Sequence, residues 1–128
     1  EIPASFGPGS HASTFGGNPV ASSAGLIVMQ ALLGGALKNC LHMGNYFVRG
    51  LEALQKRFSF IREVRGKGLI IGMELEIEGS KIADSCMQEG LLLNCTAYKV
   101  LRFVPPLTIK KNEIDRGLDI LEKVLTRQ

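Results

Sequence analysis

The sequence predicts an α+β fold, and three observations carry that expectation. Apolar residues recur at three- and four-residue steps between positions 37 and 58, the mark of an amphipathic helix. Between 69 and 76 the step shortens to two, the mark of a strand with two different faces. Further on, short apolar runs alternate with turn residues over short connections, as a compact domain requires. The expected organisation is a loop and connecting helix over residues 1–35, then a compact domain over 36–128.

Residues 1–10 hold Pro3, Gly7, Pro8 and Gly9 and should be irregular. Asn18 is a good N-cap and Pro19 suits a first helical position, so a helix is expected over 19–33. Val20, Ala24, Ile27, Val28, Ala31 and Leu32 recur along it, and no charge occurs from 19 to 36. Such a helix should be buried on most sides, against a further domain or a second subunit. Gly34-Gly35 stops it. The next helix, 36–58, carries a stripe of Leu37, Leu41, Gly44, Phe47, Val48, Leu51, Leu54 and Phe58, opposite a wet face of Lys38, Asn45, Arg49 and Glu52.

A short strand should end near Val64, and Arg65-Gly66-Lys67-Gly68 reads as a basic glycine turn. The following strand puts Leu69, Ile71, Met73 and Leu75 on one face, with Ile70, Gly72, Glu74 and Glu76 on the other. Ser80 is the expected N-cap of a helix to position 89, with Gly90 just beyond its end. Apolar strands follow over 91–95 and 100–104, the second closed by Pro105-Pro106. The last helix, 112–126, takes Asn112 as N-cap and Asp115 as the return partner of a capping box. Its inward stripe is Ile114, Leu118, Leu121 and Val124 with Leu125.

Composition narrows the function classes. The net charge of +3 comes from 15 basic and 12 acidic residues spread along the chain. Without a polybasic block or aromatic–basic interleaving, nucleic acid is not an expected partner. Cys40, Cys86 and Cys95 are odd in number, with no C-x-x-C pair or adjacent histidine, which argues against disulfides and against a metal site. All three are expected as buried small hydrophobes. The apolar run over 24–33 is too short and glycine-flanked to span a bilayer, and the polar start does not read as a signal peptide. The expectation is a soluble, cytoplasmic protein without a membrane partner.

Two places carry chemistry. In His11-Ala12-Ser13-Thr14-Phe15-Gly16-Gly17-Asn18-Pro19, two adjacent hydroxyls and a glycine pair precede a helix N-terminus. That is an anion site, with phosphate the usual anion, or else an ordinary capped turn. Arg102 stands in an otherwise apolar strand, where a guanidinium can grip a carboxylate through two parallel bonds or face outward into a structural ion pair. The 65–68 turn admits a phosphate or a plain hairpin. His11 and His42 have no paired acid or nucleophile in view, and no catalytic residue is assigned.

The loop His11-x-Ser13-Thr14-Phe15-Gly16-Gly17-Asn18-Pro19 resembles the signature loop of class III pyridoxal-phosphate aminotransferases, most of all the acetylornithine/ornithine branch. Val64-Arg65-Gly66-Lys67-Gly68-Leu69 with Gly72-Met73-Glu74-Leu75 resembles that family's small-domain strand pair. Leu101-Arg102-Phe103-Val104-Pro105-Pro106-Leu107 resembles its substrate-arginine strand. Ala12 departs from the family's usual glycine.

The resemblance implies a fold-type I small domain over 36–128, with helices packed on a small, mostly antiparallel sheet. It makes residues 1–35 the end of the large cofactor-binding domain. It implies pyridoxal 5'-phosphate as cofactor, Thr14 as a ligand of its phosphate across a homodimer interface, and Ser13 and Arg102 as substrate contacts. The implied reaction moves the δ-amino group of N-acetylornithine or ornithine to 2-oxoglutarate, giving glutamate, in arginine biosynthesis. The family's Schiff-base lysine and pyridine-side aspartate lie upstream of this loop, so the chain is expected to be an inactive C-terminal piece of the enzyme. Alternatives are another ω-amino substrate (4-aminobutyrate or succinylornithine) or a non-catalytic α+β module binding anions or a protein.

Overall fold

The computed structural model describes Gly7 and residues 9–128, so most of the expected irregular start, 1–10, lies outside the described residues. The chain divides into two compact units, Glu1–Gly34 and Gly35–Gln128.

The first unit is built on α1, Pro19–Ala31. Asn18 caps it: its Oδ1 accepts the Ala21 N–H at 2.9 Å, and Pro19 occupies the first turn, where a missing N–H costs nothing. Every residue of α1 is exposed within this chain, including Val20, Leu26 and Ile27. The burial expected for so apolar a helix is therefore not supplied by the described residues. Leu32–Ala36 continues as a π-helical stretch in which Gly35 leaves helical geometry, with φ of 141°. The helical run Pro19–Gln55 is long and apolar enough to cross a bilayer by composition. The break at Gly35 divides it into helices of 13 and 19 residues. A span needs about 20 consecutive apolar residues, and the second helix is charged along one side.

The second unit sets three helices on one face of a four-stranded sheet. Its elements are α2 (Leu37–Gln55), β1 (Ile61–Lys67), β2 (Ile70–Leu75), α3 (Ser80–Gln88), β3 (Asn94–Thr96), β4 (Val100–Phe103) and α4 (Lys111–Leu125). The sheet order is β1-β2-β4-β3, and every neighbouring pair is antiparallel. The predicted alternation holds: Leu69, Ile71, Met73 and Leu75 are buried, while Ile70, Gly72 and Glu74 lie on the other face. Leu101 and Phe103 of β4 join the buried face, and Phe103 meets Phe47 of α2 edge-on at 5.2 Å between ring centroids. The α4 stripe closes the core through Ile114, Leu121, Val124 and Leu125.

Where α2 passes the β1–β2 turn, two glycines make the approach possible. A methyl group at Gly44 would overlap the Gly68 carbonyl, and Gly68 itself has φ of 57°. On the far side α2 is tied to α4: the Tyr46 hydroxyl donates to Asp115 at 2.5 Å, and Lys111 Nζ donates to the other oxygen of that carboxylate at 2.8 Å.

Several local expectations give way to the structure. Arg65, Gly66 and Lys67 belong to β1, and the chain reverses only at Gly68-Leu69, so no basic glycine loop exists there. Leu37 and Leu41, on the predicted stripe, are exposed. Gly79, not Ser80, is the N-cap of α3, and the Ser80 hydroxyl donates to Glu78. Gly90 does follow the helix end with φ of 91°. Residues 91–93 pair with no strand, and β3 starts only at Asn94. Helix α4 begins one residue early, capped at Lys110, whose N–H donates to Glu113 at 2.7 Å. Asp115 is occupied by Tyr46 and Lys111 instead. Of the cysteines only Cys86 is buried; Cys40 and Cys95 are half-buried.

The β3–β4 connection is a three-residue loop, because Thr96 pairs with Val100. Ala97 and Tyr98 both take left-handed backbone there, at φ of 49° and 63°. The loop is anchored from outside: Gly79 N–H donates to the Tyr98 carbonyl and Leu75 N–H to the Lys99 carbonyl, both at 2.8 Å.

Candidate functional site

In the first unit, the 11–18 loop folds as two overlapping turns. Gly16 N–H points at the Ser13 carbonyl and Asn18 N–H at the Phe15 carbonyl, each at 3.4 Å, and Gly17 has φ of 72°. A Cβ at Gly16 would press on the Ser13 side chain at 3.0 Å, so glycine lets the turn close over Ser13. Ser13 and Thr14 are adjacent and exposed, and neither hydroxyl has a hydrogen-bond partner among the described residues. Two unengaged hydroxyls beside the N-terminus of a 13-residue helix form a donor set that suits phosphate oxygens.

In the second unit, the sheet face away from the helices carries the charge. Arg62 and Arg65 lie there with Glu74, at 2.9 and 2.7 Å, and Arg65 also reaches Glu63 at 2.7 Å. The hydrogen bond from Arg65 holds the Glu74 carboxyl below its usual range, and the same bond raises Arg65. Arg102, on β4, differs from both. It is exposed, and its side chain forms no ion pair or hydrogen bond among the described residues. Its cross-strand partner on β2 is Gly72, which leaves the guanidinium open to the face.

Two shallow depressions meet at Arg102. One, about 440 Å³, is lined by Leu92, Leu93, Asn94 and Val104; the other, about 590 Å³, by Arg65, Lys67, Ile70 and Thr96 among others. Asn94 did not stand out in the sequence, where it ends an apolar run. Only the β3–β4 register reveals it as the direct partner of Arg102. The loop with Ser13 and Thr14 and the strand with Arg102 belong to different units. No cluster of residues suited to a metal ion occurs among the described residues.

A sheet and helices of this arrangement are shared with known enzymes. The family model for class-III aminotransferases matches residues 1–125, and the chain belongs to that family. An acetylornithine aminotransferase from Caldanaerobacter subterraneus is 47% identical over 128 residues, which is 98% of this chain and 33% of the relative. That of Methanocaldococcus jannaschii is 43% identical over 128 residues, 98% of this chain and 32% of its own length. Among solved structures, an ornithine aminotransferase from Plasmodium yoelii superposes with a TM-score of 0.88 at 30% identity, covering 98% of this chain and 34% of that one. The acetylornithine aminotransferase from Elizabethkingia anophelis gives 0.88 at 27% identity, covering 99% and 35%. The chain thus spans about a third of the length of the relatives it matches. Class-III aminotransferases, acetylornithine aminotransferase among them, use pyridoxal phosphate.

Proposed function

We propose that the chain is part of a cytoplasmic, homodimeric aminotransferase that moves the δ-amino group of N-acetylornithine or ornithine to 2-oxoglutarate in arginine biosynthesis. The observation that carries this reading is Arg102: unlike Arg62 and Arg65 on the same sheet face, it has no carboxylate of its own among the described residues. A guanidinium left open in this way is a fork for an incoming carboxylate.

Each residue then has a limited task. Arg102 binds the substrate carboxylate bidentately and orients the substrate. Thr14 donates its hydroxyl to the cofactor phosphate, with the α1 N-terminus adding its positive end. Ser13, beside it, contacts the acetylated substrate. When bound, pyridoxal phosphate supplies the electron sink that amino transfer requires. No catalytic residue is assigned to this chain. The apolar face of α1 fits a helix covered, in the whole enzyme, by the large domain or the second subunit.

The test uses the full-length enzyme. Arg102→Lys keeps the charge and loses the fork, so single-turnover rates should fall with both the amino donor and the oxo-acid acceptor while cofactor affinity holds. Normal rates with both substrates would falsify the clamp. Thr14→Val should weaken pyridoxal phosphate binding by about 10- to 150-fold, the worth of one hydrogen bond to a charged group.

A further inference from the structure

The strand registers set one residue from each strand in a single row across the open sheet face: Arg65, Gly72, Arg102 and Asn94. The two arginines in that row are treated differently. Arg65 is compensated by Glu63 and Glu74, whereas Arg102 is flanked by a glycine on one side and an asparagine on the other. Asn94 is therefore the side chain directly beside Arg102 in the row. Direct antiparallel partners hold their Cβ atoms about 4.5–5.5 Å apart, within span of one shared carboxylate. Asn94 and Arg102 are both exposed and line the same depression, walled by Leu92 and Val104. The Asn94 amide, like the guanidinium, has no side-chain hydrogen bond among the described residues.

We propose that Asn94 is a second ligand of the carboxylate held by Arg102, its side-chain N–H donating to one carboxylate oxygen beside the guanidinium fork. The inference rests on the reading of Arg102 given above. A neutral amide at this position adds a directed donor while bringing no charge of its own. An aspartate there would instead become an internal counter-ion and occupy the fork. A charge-assisted bond of this kind is stronger than one between neutral groups.

The experiment compares Asn94→Ala, Asn94→Ser and Asn94→Asp in the full-length enzyme, with Arg102→Lys as reference. Glutarate, an unreactive dicarboxylate, serves as the probe by titration calorimetry and by competitive inhibition against the oxo acid. Asn94→Ala should weaken glutarate about tenfold, and Asn94→Asp more, because it closes the fork from within. Asn94→Ser, which keeps a donor, should recover part of the loss. KM for the oxo acid should rise while kcat, cofactor affinity and the thermal midpoint stay unchanged. Glutarate affinity within twofold of the parent in both the Ala and Asp variants, with Arg102→Lys still impaired, overturns the role of Asn94 and leaves the Arg102 reading standing. If Arg102→Lys also binds glutarate normally, the Arg102 reading fails and takes this inference with it. A fall in kcat alone, without a change in glutarate binding, also overturns it.

Discussion

The first and last helices of the chain are nearly the same length and have opposite fates. In α1, 13 residues without a single charge bury nothing, and Val20 remains 80% exposed. In α4, 15 residues, nearly half of them charged, bury four side chains to 2% exposure or less. Apolar content alone does not bury a helix; a partner surface does. Helix α4 finds its partner in α2, α3 and the sheet, whereas the surface complementary to α1 is not among the described residues of this chain. An apolar surface left open in this way marks a place of contact.

Truncation should break or uphold that contrast with the largest effect. Leu101→Ala, at a site with no exposure, should cost about 2–5 kcal/mol of stability, while Leu26→Ala in α1 should change it by no more than about 0.5 kcal/mol. Urea unfolding of this chain measures both. Equal losses would mean that α1 has a partner after all.

Added methyl groups should sharpen the contrast, because the sign differs between the units. Gly44→Ala drives a Cβ into the Gly68 carbonyl and should cost about 1–3 kcal/mol. Gly25→Ala, inside α1 with nothing within 4 Å, should gain about 0.5–1 kcal/mol of helix stability. Thermal melts followed by circular dichroism would register the two opposite shifts.

The smallest effects should come from pH, through carboxylates and a thiol of the second unit. Bonds from Lys111 and Tyr46 hold the Asp115 carboxyl below its ordinary value, and Lys123 and Arg127 do the same for Glu89. A depressed carboxyl stabilises the fold above its unfolded pKa of about 4, and that contribution is lost as pH falls further. At the alkaline end, burial, with some help from Glu89, pushes the Cys86 thiol up to about 11. Its neutral form is what the fold holds, so this contribution is complete below the unfolded thiol pKa of about 8.5 and drains away as pH rises towards 11. A Cys86→Ala variant should flatten the alkaline limb of a melting-temperature profile and leave the acid limb in place. Helix α1, with no titratable side chain, should contribute to neither limb.

What could be read in the sequence were the patterns that one strand or helix settles alone. The alternation from Leu69 to Leu75 and the stripe from Ile114 to Leu125 needed no knowledge of neighbours, and both are buried as read except for Leu118, which is half-buried. Arg102 announced itself as a charge among apolar residues. Errors arose where a residue's fate depends on another element. Gly66 looks like half of a turn, yet it is a strand residue whose missing Cβ makes room for Ile70 and Ile71. Glu113 takes the place of Asp115 as capping partner because the helix is capped at Lys110, which puts Glu113 at its third position, while Asp115 is held by Tyr46 on another helix. Asn94 was illegible for the same reason, since nothing in its own strand fixes which β4 residue it faces.

That facing is decided at a distance. The β3–β4 loop carries Ala97 and Tyr98 where a hairpin loop prefers glycine or asparagine, and it keeps their left-handed backbone with two hydrogen bonds from Leu75 and Gly79. Side chains alternate with a period of two, so a slip of one residue would turn Asn94 to the opposite side of the sheet from Arg102. The alignment of the two polar groups is thus calibrated by backbone at the hairpin tip, like an instrument adjusted by a screw remote from its jaws. A neighbouring enzyme could retune this face by changing the length or chirality of that tip while keeping every residue on the face itself.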